Sequence, residues 1–297
     1  MVRGFTHHSS GVGMSKVSGA NDATAASTLY VVATPIGNLS DLSTRAHEVL
    51  SEVDAILAED TRQSSVLLRH AGISRPLIAL HEHNEDARVM SVVARLRAGD
   101  RLALISDAGT PLISDPGYRL VAAVRAAGLA VSPIPGPSAV IAALSAAGLP
   151  TDRFSFEGFL PAKDGERRAR LEALAHDPRT LVFYEAPHRI AQALIAAVAA
   201  FGPERRGAIA RELTKRFETI LDGSLAELAA RVAADPDQQR GEIVLLIAGA
   251  PEDADSDKIA AGRRLYALLI EELAPARAAK IAAAYTGAPK RALYGGE

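Results

Sequence analysis

Short apolar segments alternate, through the first half of the chain, with segments in which apolar residues recur every three or four positions. The short segments are typical of buried strands, and the periodic segments are typical of amphipathic helices. Strands are predicted at 28–33, 54–58, 76–80, 102–105 and 129–134. Glycine ends three of the helices between them, at Gly72, Gly99 and Gly128. This regular alternation predicts an α/β fold with a parallel, doubly wound sheet.

The second half of the chain predicts another α/β unit with a different kind of sheet. Its strands are expected at 154–159, 180–184 and 241–247, and its main helices at 138–147, 189–201 and 224–233. Two more apolar runs, 207–213 and 216–222, are separated only by Thr214 and Lys215. Such a short connection predicts an antiparallel hairpin, so the second sheet is expected to be mixed.

The length and composition suggest several structural units. At 297 residues the chain can form two domains of ordinary size. We expect a disordered tail at 1–27, α/β domains at 28–136 and 137–250, a linker at 251–257 and a small helical domain at 258–297. The tail lacks the apolar core of a signal peptide. The chain also has no uninterrupted apolar stretch long enough for a membrane span.

Composition limits the possible chemistry. The chain has no cysteine, which excludes disulfides and thiolate catalysis and fits a reducing cytoplasm. The formal net charge is −2, so any nucleic-acid surface must be a local basic patch. His81 and His83 have no metal-ligand motif beside them, so no metal site is predicted.

The strand at 102–105 leads into the most distinctive segment of the chain. Small and turn-forming residues follow it at 106–111, and a second turn at 114–117 is expected to begin the next helix. Open α/β sheets bind ligands at the carboxyl ends of their strands. The first strand–helix loop contains only Gly37 where a dinucleotide fingerprint needs three glycines, and no phosphate-binding loop is present. We therefore predict that this loop binds a small polar ligand and does not bind nucleotide phosphates.

Five more polar loops are predicted to follow strands. Turn formation and helix capping explain any one of these loops at least as well as a functional role does. Their predicted positions at strand ends, taken together, favour a common site. The six loops are 35–38, 60–62, 81–84, 106–110, 184–189 and 211–215.

Long motifs in these loops occur in a fixed order. They are Thr34–Asp41, Leu57–Arg62, His81–Glu85, Ser106–Gly117, Pro135–Ser138 and Tyr184–Arg189. In these motifs, and from Thr28 to its C-terminus, the chain resembles the ribosomal RNA small subunit methyltransferase I family. That family belongs to the tetrapyrrole-methylase-like, class III methyltransferases that use S-adenosylmethionine. The resemblance implies a homodimer of two-domain chains, with the methyl donor in the cleft between the domains. It also implies 2′-O-methylation of a decoding-centre cytidine in 16S rRNA within the small ribosomal subunit.

The resemblance also assigns donor contacts by motif position. In the first domain they are Pro35, Ser106, Asp107, Ala108, Gly109 and Thr110. In the second domain they are Ser138, Ala139, Tyr184, Leu213, Gly241, Glu242 and Ile243.

A ribose hydroxyl is a weak nucleophile and benefits from a general base. We expect Asp60 to be that base or to orient the hydroxyl, with Arg62 holding a phosphate and Glu185 as a second candidate base. Asp60 could equally be a helix N-cap. No Lys-Asp-Lys-Glu set like that of other ribose methylases is evident.

RNA binding is expected to depend mainly on phosphate contacts. The candidate residues are Lys163, Arg167, Arg168, Arg189, Lys215, Lys290 and Arg291. Aromatic residues make up only 4% of the chain and do not alternate with these basic runs, which predicts docking on a shaped RNA surface without base stacking. Two alternatives stay open, namely a corrin or porphyrin methyltransferase and a non-catalytic ribosome-assembly factor that binds the donor as a structural ligand.

Overall fold

The computed structural model describes residues 27–81, 85–251 and 254–293. The predicted disordered tail lies outside these residues except for its last position, Ser27. The chain divides into two compact units. Among the described residues, unit 1 contains those from Ser27 to Pro35 and from Leu39 to Gly136, and unit 2 contains Ile36–Asn38 and those from Pro137 onward.

Unit 1 contains a five-stranded sheet in the order β3-β2-β4-β1-β5, with every neighbouring pair parallel. Its strands are β1 (Thr28–Val32), β2 (Ala55–Ala58), β3 (Leu77–Ala79), β4 (Leu102–Ile105) and β5 (Ala130–Ile134). Its helices are α1 (Thr44–Glu52), α2 (Thr61–His70), α3 (Glu85–Arg97) and α4 (Tyr118–Ala126). The predicted parallel sheet is confirmed.

Alternating side chains of the central strand β4 fill two separate cores. Leu102 and Leu104 pack in the cluster that contains residues of α3 and α4. Ala103 and Ile105 pack in the other cluster, with residues of α1 and α2. Because successive residues of a strand point to opposite faces, helices cover both sides of the sheet, and this is the predicted doubly wound arrangement.

Unit 2 contains a mixed sheet in the order β6-β7-β10-β8-β9, in which only the β6–β7 pair is parallel. Its strands are β6 (Phe154–Phe159), β7 (Thr180–Glu185), β8 (Arg206–Arg211), β9 (Thr219–Ser224) and β10 (Ile243–Ile247). Its helices are α5 (Ala139–Ala146), α6 (Asp164–Ala173), α7 (Ile190–Phe201), α8 (Leu225–Ala234), α9 (Ala254–Leu269) and α10 (Pro275–Thr286). The predicted mixed sheet is confirmed.

Backbone conformation corrects two boundaries in unit 2. The predicted hairpin exists, but residues 212–218 connect its strands, because Glu212 and Thr214 have φ of +52° and +65° and cannot continue a strand. Leu213 therefore lies in a loop. The last strand begins at Ile243 and not at Gly241, because Gly241 has φ of +76°.

The first C-terminal helix begins earlier in the chain than the sequence predicts. Helix α9 begins at Ala254, inside the predicted linker 251–257. It packs with α10 and a 3-10 helix at Lys290–Leu293 around a small apolar cluster. The independent helical domain predicted for 258–297 stays a prediction. Within the described parts of the chain, no helix has the length and apolar character needed to cross a membrane.

Candidate functional site

The loop that follows β4, residues 106–117, is tied to the end of β1 by backbone hydrogen bonds. We call it the β4 loop. The N–H of Thr34 donates to the carbonyl of Gly109 at 2.8 Å, and the N–H of Gly109 donates back at 3.1 Å. The Thr34 hydroxyl also donates to the carbonyl of Ser106 at 3.2 Å. Thr34 and Ser106 are buried, so the turn at Ser106–Gly109 is held firmly.

Four residues of the β4 loop have left-handed backbone conformations. The φ values are +83° at Gly109, +73° at Leu112, +65° at Ser114 and +121° at Gly117. Leucine and serine rarely adopt such values, and each costs on the order of 1–3 kcal/mol. At Gly117, the N-cap of α4, a Cβ would lie 2.8 Å from Leu104 Cδ2. Strain of this kind is characteristic of ligand-binding segments.

Two acidic residues, one after β2 and one after β4, lie in contact at this edge of the sheet. The backbone N–H of Asp60 donates to Asp107 Oδ1 at 3.1 Å. Asp60 caps helix α2, because its own Oδ1 accepts the N–H of Arg62 at 2.8 Å. Among the described residues, none donates a hydrogen bond to the second carboxylate oxygen, Oδ2, of Asp60. One oxygen of Asp60 is therefore structural, and the other is available for chemistry.

Burial changes the protonation of the acids in the β4 loop. Desolvation raises the pKa of Asp107, although the hydrogen bond from Asp60 partly opposes it. Desolvation also raises the pKa of Asp115 to about 6, against a hydrogen bond from Ser106 and with a further contribution from the charge of Asp107. The loop therefore presents carboxylates and backbone groups, which favour a cationic or hydroxyl-bearing ligand and repel a phosphate.

Replacing Asp115 with asparagine is expected to stabilise the protein at neutral pH. Since the pKa rises from 3.8 to about 6 on folding, the native state loses stability as pH increases through that interval. Asp115→Asn should remove this decline and add about 1–2 kcal/mol at pH 7, after allowance for screening by water. Thermal unfolding between pH 4 and 7 measures the effect. The same decline in Asp115→Asn as in the wild type would contradict it, and exposed Asp152→Asn is the control.

Unit 2 brings three of its predicted donor contacts into one apolar cluster. Ala139, Tyr184 and Leu213 all belong to the cluster between α5 and the sheet. The Tyr184 ring lies edge-on to Phe156, with centroids 4.8 Å apart. Ser138 is the N-cap of α5, and its side chain makes no capping hydrogen bond.

The other three predicted contacts of unit 2 surround a small ion cluster. Lys215 Nζ lies 2.9 Å from Glu212 Oε1 and 2.9 Å from Glu242 Oε2. The N–H of Glu242 donates to Glu212 Oε1 at 2.9 Å, and a Cβ on Gly241 would lie 2.3 Å from that same oxygen. Ile243 begins β10 beside this cluster. Burial opposes ionisation of Glu212, but the hydrogen bonds from Lys215 and Glu242 outweigh it and lower its pKa.

Glu185 lies in the interior and does not suit the role of general base. Its side chain is 0% exposed, and Oε1 lies 3.2 Å from Arg189 Nε. The same oxygen accepts the N–H of Ala186 at 2.7 Å. Desolvation raises its pKa, against the hydrogen bond from Ala186 and the charge of Arg189. Because no acceptor hydroxyl can reach a fully buried carboxylate, Glu185 is better explained as the partner of Arg189.

Removing the carboxylate of Glu185 is expected to destabilise the protein without a specific effect on turnover. Glu185→Ala leaves a largely buried guanidinium without its partner, which costs about 3 kcal/mol. Glu185→Gln keeps a side chain of the same shape that can still accept hydrogen bonds, so it should lose less stability than Glu185→Ala. Denaturant unfolding measures both. A variant with wild-type stability but strongly reduced turnover per folded molecule would restore Glu185 as a base.

The predicted RNA contacts differ sharply in exposure. The Arg167 side chain is 2% exposed and donates to Asp164 at 2.7 Å, so its guanidinium is not available to a phosphate. Lys215 is held by its two carboxylates, and Arg189 is mostly buried beside Glu185. Four predicted residues are exposed, namely Lys163, Arg168, Lys290 and Arg291.

Two residues have structural roles in this site that the sequence analysis did not identify. Thr34 holds the β4 loop through hydrogen bonds, and Asp115 is partly buried within that loop. Thr34 lies two residues after the end of β1, a position that could have suggested a contact with the neighbouring strand's loop. The burial of Asp115 has no comparable sequence signal. Among the described residues, no group of three histidine or acidic side chains is arranged to hold a metal ion.

Two family models match the chain. The model described as Tetrapyrrole (Corrin/Porphyrin) Methylases covers residues 28–229. The model described as RsmI C-terminal HTH domain covers residues 256–295.

Curated relatives match over nearly their whole length. Each of the following is described as Ribosomal RNA small subunit methyltransferase I. The protein from Xylella fastidiosa strain Temecula1 is 61% identical over 91% of this chain and 98% of its own length. The Pseudomonas aeruginosa protein is 56% identical over 91% and 96%. The Escherichia coli O157:H7 protein is 51% identical over 90% and 93%.

Solved structures show the same fold at low identity. Uroporphyrin-III-C-methyltransferase from Thermus thermophilus aligns with a TM-score of 0.52 and 21% identity, over 75% of this chain and 94% of that one. Cobalt precorrin-4 methyltransferase aligns with a TM-score of 0.55 and 16% identity, over 75% and 95%. Together with the family models and the curated relatives, these likenesses show that the chain belongs to the ribosomal RNA small subunit methyltransferase I family, within the tetrapyrrole methylase fold.

Proposed function

We propose that this chain transfers a methyl group from S-adenosylmethionine to rRNA of the small ribosomal subunit. The observation that carries this proposal is 61% identity, over 91% of the chain, to a protein described as Ribosomal RNA small subunit methyltransferase I. The proposed acceptor is the 2′-hydroxyl of a decoding-centre cytidine in 16S rRNA. We further propose that the enzyme acts in the cytoplasm as a homodimer.

The β4 loop suits the proposed donor chemically. S-adenosylmethionine supplies an electrophilic methyl group on a positively charged sulfur and carries no phosphate. The carboxylate of Asp107 favours a cation, and the turn at Ser106–Gly109 offers backbone groups at fixed positions. We assign Pro35 and Ser106–Thr110 to donor binding. The unit 2 residues Ser138, Ala139, Tyr184, Leu213 and Gly241–Ile243 stay donor contacts that the family resemblance predicts.

Asp60 is the group best suited to act on the acceptor hydroxyl. Its Oδ1 is engaged in capping α2, which fixes the side chain and leaves Oδ2 to accept the hydroxyl proton as the oxygen gains its methyl group. Arg62 is exposed and forms no ion pair within the described residues, so its guanidinium can hold an adjacent phosphate. Lys163, Arg168, Lys290 and Arg291 are the further phosphate contacts that we propose.

Labelled methyl donor distinguishes this function from the two alternatives. The purified protein is incubated with undermethylated small ribosomal subunits or with a tetrapyrrole substrate. We expect label in the rRNA alone. Label in the tetrapyrrole alone would identify a corrin or porphyrin methyltransferase. Subunit binding with no transfer to either substrate would identify a non-catalytic assembly factor.

A further inference from the structure

The loop between β8 and β9, residues 212–218, presents an aromatic ring to solvent. We call it the β8 loop. Phe217 is 66% exposed, and the guanidinium carbon of Arg216 lies 5.5 Å from the centre of the Phe217 ring. Arg216 is exposed and forms no ion pair within the described part of the chain. An aromatic ring beside an unpaired planar cation is the combination that binds nucleic-acid bases.

The backbone beneath this ring is held rigidly. Arg211 is buried, and its Nη2 donates to the carbonyl of Phe217 at 3.1 Å while its Nε donates to Thr219 Oγ1 at 3.0 Å. The N–H of Thr214 donates to Glu218 Oε2 at 2.6 Å. An exposed ring on a fixed backbone loses little entropy on binding, which favours a role in recognition.

A cavity of about 320 Å³ lies next to Phe217. Its lining residues are Arg211, Glu212, Phe217, Asp237, Arg240 and Gly241. The volume is at the lower end of the range for small-ligand sites. Both guanidinium donors and carboxylate acceptors line it, so it suits a neutral polar edge such as that of a nucleobase better than a phosphate.

We propose that Phe217 and Arg216 form a platform on which one unpaired base of the RNA substrate stacks, with its polar edge directed to the cavity. This inference rests on the proposed function, because RNA is the partner only if the chain acts on rRNA. It also replaces the sequence-based expectation of docking without stacking. In the sequence, Phe217 directly follows Lys215 and Arg216, so one aromatic residue does lie beside a basic pair. The low overall content of aromatic residues obscures this signal.

Two substitutions at Phe217 test the platform. Phe217→Ala should weaken binding of undermethylated small ribosomal subunits by roughly tenfold, as removal of one stacked base does. Phe217→Trp should bind about as well as the wild type, because indole also stacks. Ile195→Ala, which removes a 64% exposed apolar side chain from α7, should leave binding unchanged. Filter binding measures the subunits, and calorimetry should show unchanged donor affinity in every variant.

The tryptophan variant also reports stacking directly. The chain contains no tryptophan, so Phe217→Trp introduces a single indole. Its fluorescence should be quenched by a single-stranded oligoribonucleotide and not by an RNA duplex. No quenching by the single strand would overturn the proposal, whether or not the wild type methylates rRNA.

Two other results would also overturn the platform while leaving the proposed function intact. One is wild-type subunit binding by Phe217→Ala in a preparation whose wild type methylates rRNA. The other is a change in the sedimenting mass of Phe217→Ala, which would show that the exposed ring contacts a second copy of this chain.

Discussion

Replacing Gly109 with valine is expected to abolish donor binding. Gly109 has φ of +83°, and a β-branched residue at such a value is strongly strained. The loop can relieve this strain only by giving up the paired backbone hydrogen bonds between Gly109 and Thr34. The donor-binding turn would then lose its shape, and affinity should fall by roughly 100-fold or more. Titration calorimetry with S-adenosylmethionine measures the loss.

Gly128 offers a matched control for the backbone strain. It has φ of +71°, and a Cβ there would meet no other atom within 4 Å. Gly128→Val should therefore lose a similar 1–3 kcal/mol of stability without losing donor affinity. Wild-type donor affinity in Gly109→Val would show that the donor does not bind at this loop.

Replacing Asp60 with asparagine is expected to reduce turnover by roughly 100-fold while leaving donor affinity nearly unchanged. Asparagine is as good an N-cap as aspartate, so the capping bond to Arg62 and the stability of α2 should be kept. The substitution removes the negative charge of Asp60 and its ability to accept a proton, and the carboxylate of Asp107 in the β4 loop is kept. Single-turnover rates with undermethylated small subunits measure the effect separately from binding.

Asp235, another acidic residue that caps a helix, is a control that distinguishes the loss of a helix cap from the loss of a catalytic group. Asp235 caps the 3-10 helix at Pro236–Gln239 through a 2.9 Å bond from the N–H of Asp237. Asp235→Asn should have wild-type turnover. If Asp60→Asn also turns over at the wild-type rate, Asp60 serves only as a helix cap.

Local patterns predicted most of the fold. The alternation of short apolar runs with helical segments predicted all five strands of unit 1, and the side chains of its three central strands, β2, β4 and β1, are mostly buried. The position of the β4 loop also followed from local sequence, since a buried apolar strand ended in turn-forming residues. The mixed character of the second sheet was predictable from its hairpin.

Other features could not be predicted from the sequence, because non-local contacts decide them. Arg167 and Glu185 look like surface charges in the sequence, but their side chains are buried among partners that the fold supplies. The length of the β8 loop depends on left-handed conformations at Glu212 and Thr214, residue types that carry no strong turn preference. In the same way, the hydrogen bond from Asp60 to Asp107 joins the segments that follow β2 and β4, which are 47 residues apart in the sequence.

Mapping the methylated nucleotide tests the central claim most directly. Undermethylated small subunits are treated with the wild-type protein and S-adenosylmethionine, or left untreated, and the 16S rRNA is digested and analysed by tandem mass spectrometry. We predict one added methyl group, on the ribose of a single decoding-centre cytidine, in the treated sample alone. A methyl group on a base, at a nucleotide outside the decoding centre, or nowhere in the rRNA would contradict the proposed function.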